Sequence, residues 1–224
     1  MIRMVTTMIR TEREYRTFKI NTEKRELAEG EQKDYKVRGY ASTFDVYTLW
    51  KDPDTGNEYR EQIDPDAFSD ADMSDVIFQY NHSGMVYARV KNGSLTLSVD
   101  SRGLYIEADL GLTTQSRELF EAIDSGLVDQ MSFAFIVAED EYDKKTRTRH
   151  IRRFSKIYDV SAVDIPANPN TDISAVSARN FLDGVIEAEK AERLEEQRQI
   201  DIARARYRFM EVWHGNQGHE HGGG

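Results

Sequence analysis

Cysteine is absent from the 224 residues, which excludes disulfides, thiolate metal sites and a cysteine nucleophile. Its absence also fits a reducing compartment. Positive charge is in deficit: 30 Lys and Arg against 40 Asp and Glu leave a formal net charge of -10. Wrapping nucleic acid needs clustered cations, so no nucleic-acid partner is expected. Long apolar runs are missing too. None approaches a membrane span, and residues 1–10 lack the continuous apolar stretch of a signal peptide. The expectation is a soluble intracellular protein with no membrane partner. No HExxH or comparable ligand spacing occurs, and His219 and His221 sit in a glycine tail, so neither a metal nor a cofactor is expected.

What is present fits one ordinary domain with extensions. Residues 1–33 are charged and lack sustained periodicity, and read as a loosely ordered arm with one strand at 14–20. Residues 34–178 carry the folded domain. Segments 36–44, 46–50 and 59–63 are rich in β-branched and aromatic residues, with Gly39 as an expected bulge and a turn cluster at 52–57. Asp64-Pro-Asp-Ala-Phe68 predicts a short helix, capped by Asp64 with Pro65 in its first position. Strands follow at 76–80, 85–90, 94–99 and 103–110. Asn92-Gly93 marks a hairpin and Ser101-Arg-Gly103 a turn. Close succession of short strands points to a sandwich or barrel.

Residues 115–125 read as an amphipathic helix, with Leu119, Phe120 and Ile123 at helical spacing and Gly126 as a left-handed stop. A buried strand is expected at 131–137, and Ser132 is a small hydroxyl inside it. The plain alternative is a core serine bonded to a neighbouring carbonyl. His82 stands where strand 76–80 meets a glycine turn, which suits a general base; the alternative is a surface histidine. His150 is a rival base with basic neighbours. Residues 140–149 read as a solvated hairpin tip. Apolar positions 157, 160 and 163 mark a strand ended by Pro166 and Pro169, with Asp159 and Asp164 within it. Residues 179–214 form a charged helix with a patchy apolar stripe, exposed or seeking a partner, supported by pairs such as Glu189–Arg193. Residues 215–224 read as a flexible tail.

Several stretches, in this order, resemble the prohead (procapsid maturation) proteases of HK97-type tailed phages, a serine peptidase family related in fold to the herpesvirus assembly proteases. Val37-Arg-Gly-Tyr-Ala-Ser-Thr-Phe44 resembles the family's first strand. Glu61-Gln-Ile-Asp-Pro-Asp-Ala-Phe68 resembles its I-x-P-G-A-F segment, with Asp66 for glycine. Phe78-Gln-Tyr-Asn-His82 resembles the N-H segment that supplies the histidine. Residues 126–135 resemble the G-M-S-F-G-F segment that supplies the serine, with Gln130 and Ala134 replacing glycines. Tyr158-Asp-Val-Ser-Ala-Val-Asp-Ile-Pro-Ala-Asn-Pro169 resembles the closing strand. Glycine there lets backbone approach a ligand closely, so the replacements narrow the expected oxyanion site. The segment after His82 keeps only Arg89 of the family pattern.

The resemblance implies an α+β, mostly β fold: a herpesvirus-protease-like closed or partly closed barrel flanked by helices, with a long C-terminal helix. It implies a serine endopeptidase in which Ser132 is the nucleophile, His82 the base and Asp159 the third member, with Asp164 as runner-up. Positions 159 and 164 differ by an odd number, so a regular strand turns only one of them toward His82. The oxyanion hole is expected from backbone amides. Implied substrates are the major capsid protein, scaffold segments and the chain itself, inside the assembling procapsid in the host cytoplasm; a homodimer is implied by the herpesvirus relation. Two other readings stand beside it: a weak or inactive protease-fold module serving as assembly scaffold or chaperone, and a metal-dependent hydrolase using His82, His150 and the chain's many carboxylates.

Overall fold

The computed structural model describes residues 4–5, 13–19, 35–53, 55–164 and 174–217. Along them run strands β1 (Met4–Val5), β2 (Glu14–Lys19), β3 (Lys36–Thr43), β4 (Tyr47–Lys51), β5 (Glu58–Ile63), β6 (Ile77–Tyr80), β7 (Ser83–Arg89), β8 (Leu95–Val99) and β9 (Gly103–Asp109). Helix α1 (Thr114–Asp124), strands β10 (Gln130–Asp143) and β11 (Thr148–Val163), and helix α2 (Ser174–Gln217) complete the order.

The frame is the long β10–β11 hairpin, paired antiparallel from Gln130 opposite Val163 to Asp143 opposite Thr148. Two short strands lie end to end along each of its outer edges. β2 and β1 pair antiparallel with β10. β5 and β6 pair parallel with β11, at its start and near its end. The chain between β5 and β6 is stitched to the gap by Phe154 N–H to the Ala67 carbonyl, Asp72 N–H to Ser155 and Ile157 N–H to Asp72. β4 adds to β5 and β7 to β6, while β3, β9 and β8 form a second sheet. Among the described residues these pairings close no ring, so the expected closed barrel is not found; the mostly β character and the long C-terminal helix are.

Strand alternation sends Phe133, Phe135 and Val137 to the core, where all three are buried. Phe133 and Phe135 stack at 4.6 Å, and Phe154 from β11 meets Phe135 edge-on at 4.8 Å. Phe68 closes on Phe154 at 4.8 Å. Truncating one such ring costs about 3–5 kcal/mol.

Three local expectations change. Residues 65–70 make separate turns, Ala67 N–H to Asp64 and Ser69 N–H to Asp66, and no continuous helix. Asn92-Gly93 is not a hairpin. A single 3₁₀ turn at Val90–Asn92 ends at Gly93, φ +78°, and carries the chain from the first sheet to the second. The bulge in β3 falls between Tyr40 and Ser42, after Gly39. Elsewhere, Gly103 is dictated by space, since a Cβ there would lie 2.0 Å from the Ser42 carbonyl oxygen.

The chain divides into two compact units, residues 1–179 and 180–224. In the second, Leu194, Ile200, Ile202, Tyr207, Phe209 and Met210 are exposed. Helical pairs are mixed in kind: Arg198 meets Glu195 at 3.6 Å, while Arg193 Nε donates to the Glu189 carbonyl. Gly215 to Gln217 fall within α2, and the remainder of the expected tail lies outside the described residues. Among the described residues no helix is long and apolar enough to cross a membrane.

Candidate active site

Two chain reversals place the reactive side chains. The first follows α1. Thr113 caps its start, accepting from Ser116 N–H. Gly126 ends it at φ +78°, a conformation that costs an L side chain about 1 kcal/mol or more, and the Leu127 and Val128 amides close back on the Ala122 carbonyl. β10 then begins, with Ser132 opposite Ser161 of β11 on one side and Thr17 of β2 on the other. Alternation puts Ser132 and Ala134 on the face away from the phenylalanine core, with Tyr15, Thr17, Asp159 and Ser161 as their cross-strand neighbours.

The second reversal joins β6 to β7. Asn81 and His82 are both left-handed, at φ +50° and +54°, and Gly84 follows at +74°. Two non-glycine residues in that region store strain of about 1–2 kcal/mol each. The turn is fastened by Asn81 N–H to the Ala162 carbonyl at 3.0 Å and by Asp164 N–H to Asn81 Oδ1 at 3.4 Å. Both anchors belong to the end of the chain segment that carries Asp159. His82 is thereby turned onto the face that holds Ser132.

Its imidazole joins the other two. His82 Nδ1 lies 2.5 Å from Asp159 Oδ1, and Nε2 lies 2.7 Å from Ser132 Oγ. A carboxylate only accepts, so Nδ1 carries the proton and Nε2 offers its lone pair to the serine hydroxyl. Ser161 Oγ donates to the same Asp159 Oδ1 at 2.9 Å, fixing the carboxylate from its own strand. The Tyr15 ring meets the imidazole edge-on, with centroids 4.6 Å apart. Ser132 is fully buried and the His82 side chain is 19 % exposed. A hydroxyl facing an imidazole nitrogen, itself oriented by a carboxylate, is equipped for nucleophilic attack with general-base assistance.

The other candidates lie elsewhere. Asp164 accepts from the Tyr80 hydroxyl at 2.8 Å. His150 has Asp64 3.9 Å away and pairs in register with Gln62 of β5. Arg89 is bidentate to the exposed-side Asp75, both contacts at 2.5 Å. Among the described residues no group of three His, Asp or Glu is placed to hold a metal ion. Gln130 is half-buried, and Ala134 is buried between Tyr15 and Asp159 in register.

Sequence reading missed Tyr15, Ser161 and what lies beneath them. Ser161 was readable from its two-residue spacing to Asp159; Tyr15 carried no signal. On the opposite face of β2, Glu14 and Arg16 enter a buried ionic cluster with Glu61, Asp140 and Arg149. Arg16 bonds Glu61 Oε2 at 2.7 Å and Glu14 Oε2 at 2.8 Å. Arg149 bonds Glu14 Oε2 at 2.7 Å, Glu61 at 2.9 Å and Asp140 at 2.6 Å. Tyr47 donates to Glu61. Asp140 and Arg149 were expected in a solvated tip; the strands run on to Asp143 and Thr148, and both side chains are buried. Burial opposes charge on Glu14, but Arg149 and Arg16 outweigh it and hold the carboxyl well below the usual range. Glu61 shifts the same way: burial opposes its charge, and Arg16 then Arg149 overcome that.

The family model for caudovirus prohead serine proteases matches residues 18–183. No curated protein and no solved structure matches the chain.

Proposed function

Because the chain belongs to the caudovirus prohead serine protease family, we propose that it is a serine endopeptidase of capsid maturation in which Ser132, His82 and Asp159 do the chemistry. The observation that carries this is the unbroken hydrogen-bond chain from Asp159 through His82 to Ser132. Ser132 Oγ attacks the scissile carbonyl carbon while His82 Nε2 takes its proton. The imidazolium, held by Asp159, returns that proton to the leaving nitrogen as the C–N bond breaks. Water then hydrolyses the acyl-enzyme by the same path, and the serine is regenerated. Backbone amides complete the oxyanion site.

The substrates are scaffold and capsid protein segments, and the chain itself, cleaved within the procapsid in the host cytoplasm. A protease confined this way is kept from host proteins. The second unit, with its exposed apolar residues, supports a role for α2 in binding capsid or scaffold chains.

The full burial of Ser132 favours a second reading, a chain held inactive until assembly. An intact-mass time course on concentrated protein separates the two. Discrete truncation in wild type, missing from Ser132→Ala and His82→Ala, supports the active enzyme. Truncation only after capsid and scaffold proteins are added supports assembly activation. Identical truncation in all three overturns Ser132 as nucleophile.

A further inference from the structure

His82 needs more support than its two hydrogen bonds supply. Its backbone sits in the strained left-handed region, and its side chain lies at the edge of solvent. Both hydrogen bonds survive only while the ring holds one orientation, because a half-turn of the imidazole replaces both nitrogens with carbons. The ring that meets it comes from β2. Tyr15 lies across from Ala134 in register and packs edge-on to the imidazole at 4.6 Å, with the planes 72° apart.

Tyr15 is itself held in place. Its carbonyl accepts from Arg16 Nη1 at 2.8 Å, and the same guanidinium is bonded to Glu61 and Glu14 in the buried cluster. The buried ions thus tie β2 to Glu61 of β5 and Arg149 of β11 from below, while the β2 backbone pairs with β10 and Tyr15 projects onto the face that carries Ser132. All three residues of this device, Glu14, Tyr15 and Arg16, precede the family-matched stretch, which begins at residue 18.

We propose that Tyr15 is a positioning residue: its ring walls the His82 imidazole between Asp159 and Ser132, and makes β2 part of the catalytic unit. This rests on the serine protease reading, and its test is built to fail separately from that reading. The full-length chain carries Tyr15→Phe or Tyr15→Val; valine keeps a strand-forming side chain but removes the ring. Labelling of Ser132 by a fluorophosphonate gives a limiting rate and an apparent affinity. The low-field proton resonance of His82 Nδ1–H reports ring orientation without any reaction.

Tyr15→Val is expected to lower the limiting rate about tenfold or more with apparent affinity unchanged, since misplacement of a reacting group acts on rate. It should also broaden or remove the low-field resonance. Tyr15→Phe should match wild type in both. Wild-type rate and resonance in Tyr15→Val overturn the proposal, as does equal loss in Tyr15→Phe, which would assign the effect to the hydroxyl. Should Tyr15→Val fail to fold, Tyr15→Leu takes its place with the same readouts. If the wild-type chain is labelled only after capsid and scaffold proteins are added, the labelling arm is run in their presence. If it is labelled in neither state, the nucleophile reading falls, and the resonance alone decides the role of Tyr15.

Discussion

Asp159 and Ser161 sit two residues apart on β11, and the serine hydroxyl donates at 2.9 Å to the same carboxylate oxygen that faces His82. The strand's own alternation thus supplies both the carboxylate and the group that fixes its rotamer. Ser161→Ala is expected to lower the labelling rate of Ser132 about tenfold, the worth of one hydrogen bond to a charged group. Apparent affinity for the label should not move.

Asp159→Asn presents an amide where the imidazole needs an acceptor, and so favours the wrong tautomer. Loss of about a thousandfold or more in the labelling rate is expected. Asp164→Asn removes the charge of a carboxylate that accepts from the Tyr80 hydroxyl, while His82 Nδ1 faces Asp159, and should leave the rate unchanged. Equal losses in the two variants would mean that the carboxylate roles are misassigned.

The buried cluster predicts an acid limit to stability. The Glu14 carboxyl is held well below its ordinary 4.5, and Glu61 is lowered as well. Both therefore stabilise the fold fully above the unfolded-state value and lose that contribution as pH falls toward the depressed one. Melting temperature should be flat above about pH 5 and drop steeply below about pH 4.5. Glu14→Gln should cost about 3–5 kcal/mol near neutrality, by leaving two buried guanidinium groups short of an acceptor. Its melting temperature should then depend less on pH across the acid range.

Two glycines should differ in their tolerance of alanine. At Gly126, φ +78° with open space around it, the added methyl meets only backbone strain, about 1–2 kcal/mol. At Gly103 the methyl collides with backbone at 2.0 Å, so one strand of the second sheet must move. Urea titration should show Gly103→Ala as the more destabilised of the two.

Deleting residues 180–224 removes the second unit and no member of the hydrogen-bond chain. Fluorophosphonate labelling of the truncated protein should match wild type, while incorporation into assembling procapsids should be lost. Retained incorporation would remove α2 as the docking element.

The sequence carried the candidate site better than its surroundings. Ser132 and His82 were readable from motif order, since each stands close to a junction of strand and turn. Asp159, inside β11, was readable only from the resemblance of its stretch, with Asp164 beside it as runner-up. Ser161 was readable from period two. The cluster was not: Arg149 finds Glu14 across 135 residues of sequence, and nothing in the run around Arg149 tells a solvated charge from a buried one. Asn92-Gly93 misled for a related reason. Its dipeptide favours a tight turn, but whether the flanking strands pair with each other is decided by the rest of the two sheets.

The order of the strands also governs when the site can exist during synthesis. β2, which bears Tyr15, and the β6–β7 turn, which bears His82, leave the ribosome early. Ser132 and Asp159 arrive last, on the two arms of the β10–β11 hairpin that the earlier strands flank. The hydrogen-bond chain from Asp159 to Ser132 cannot form until residue 159 has been made, and β6, already paired with β7, gains its second neighbour only when β11 exists beside it. On the proposed reading a nascent chain is therefore chemically inert for most of its translation, and the candidate site is assembled in one late closure of the sheet.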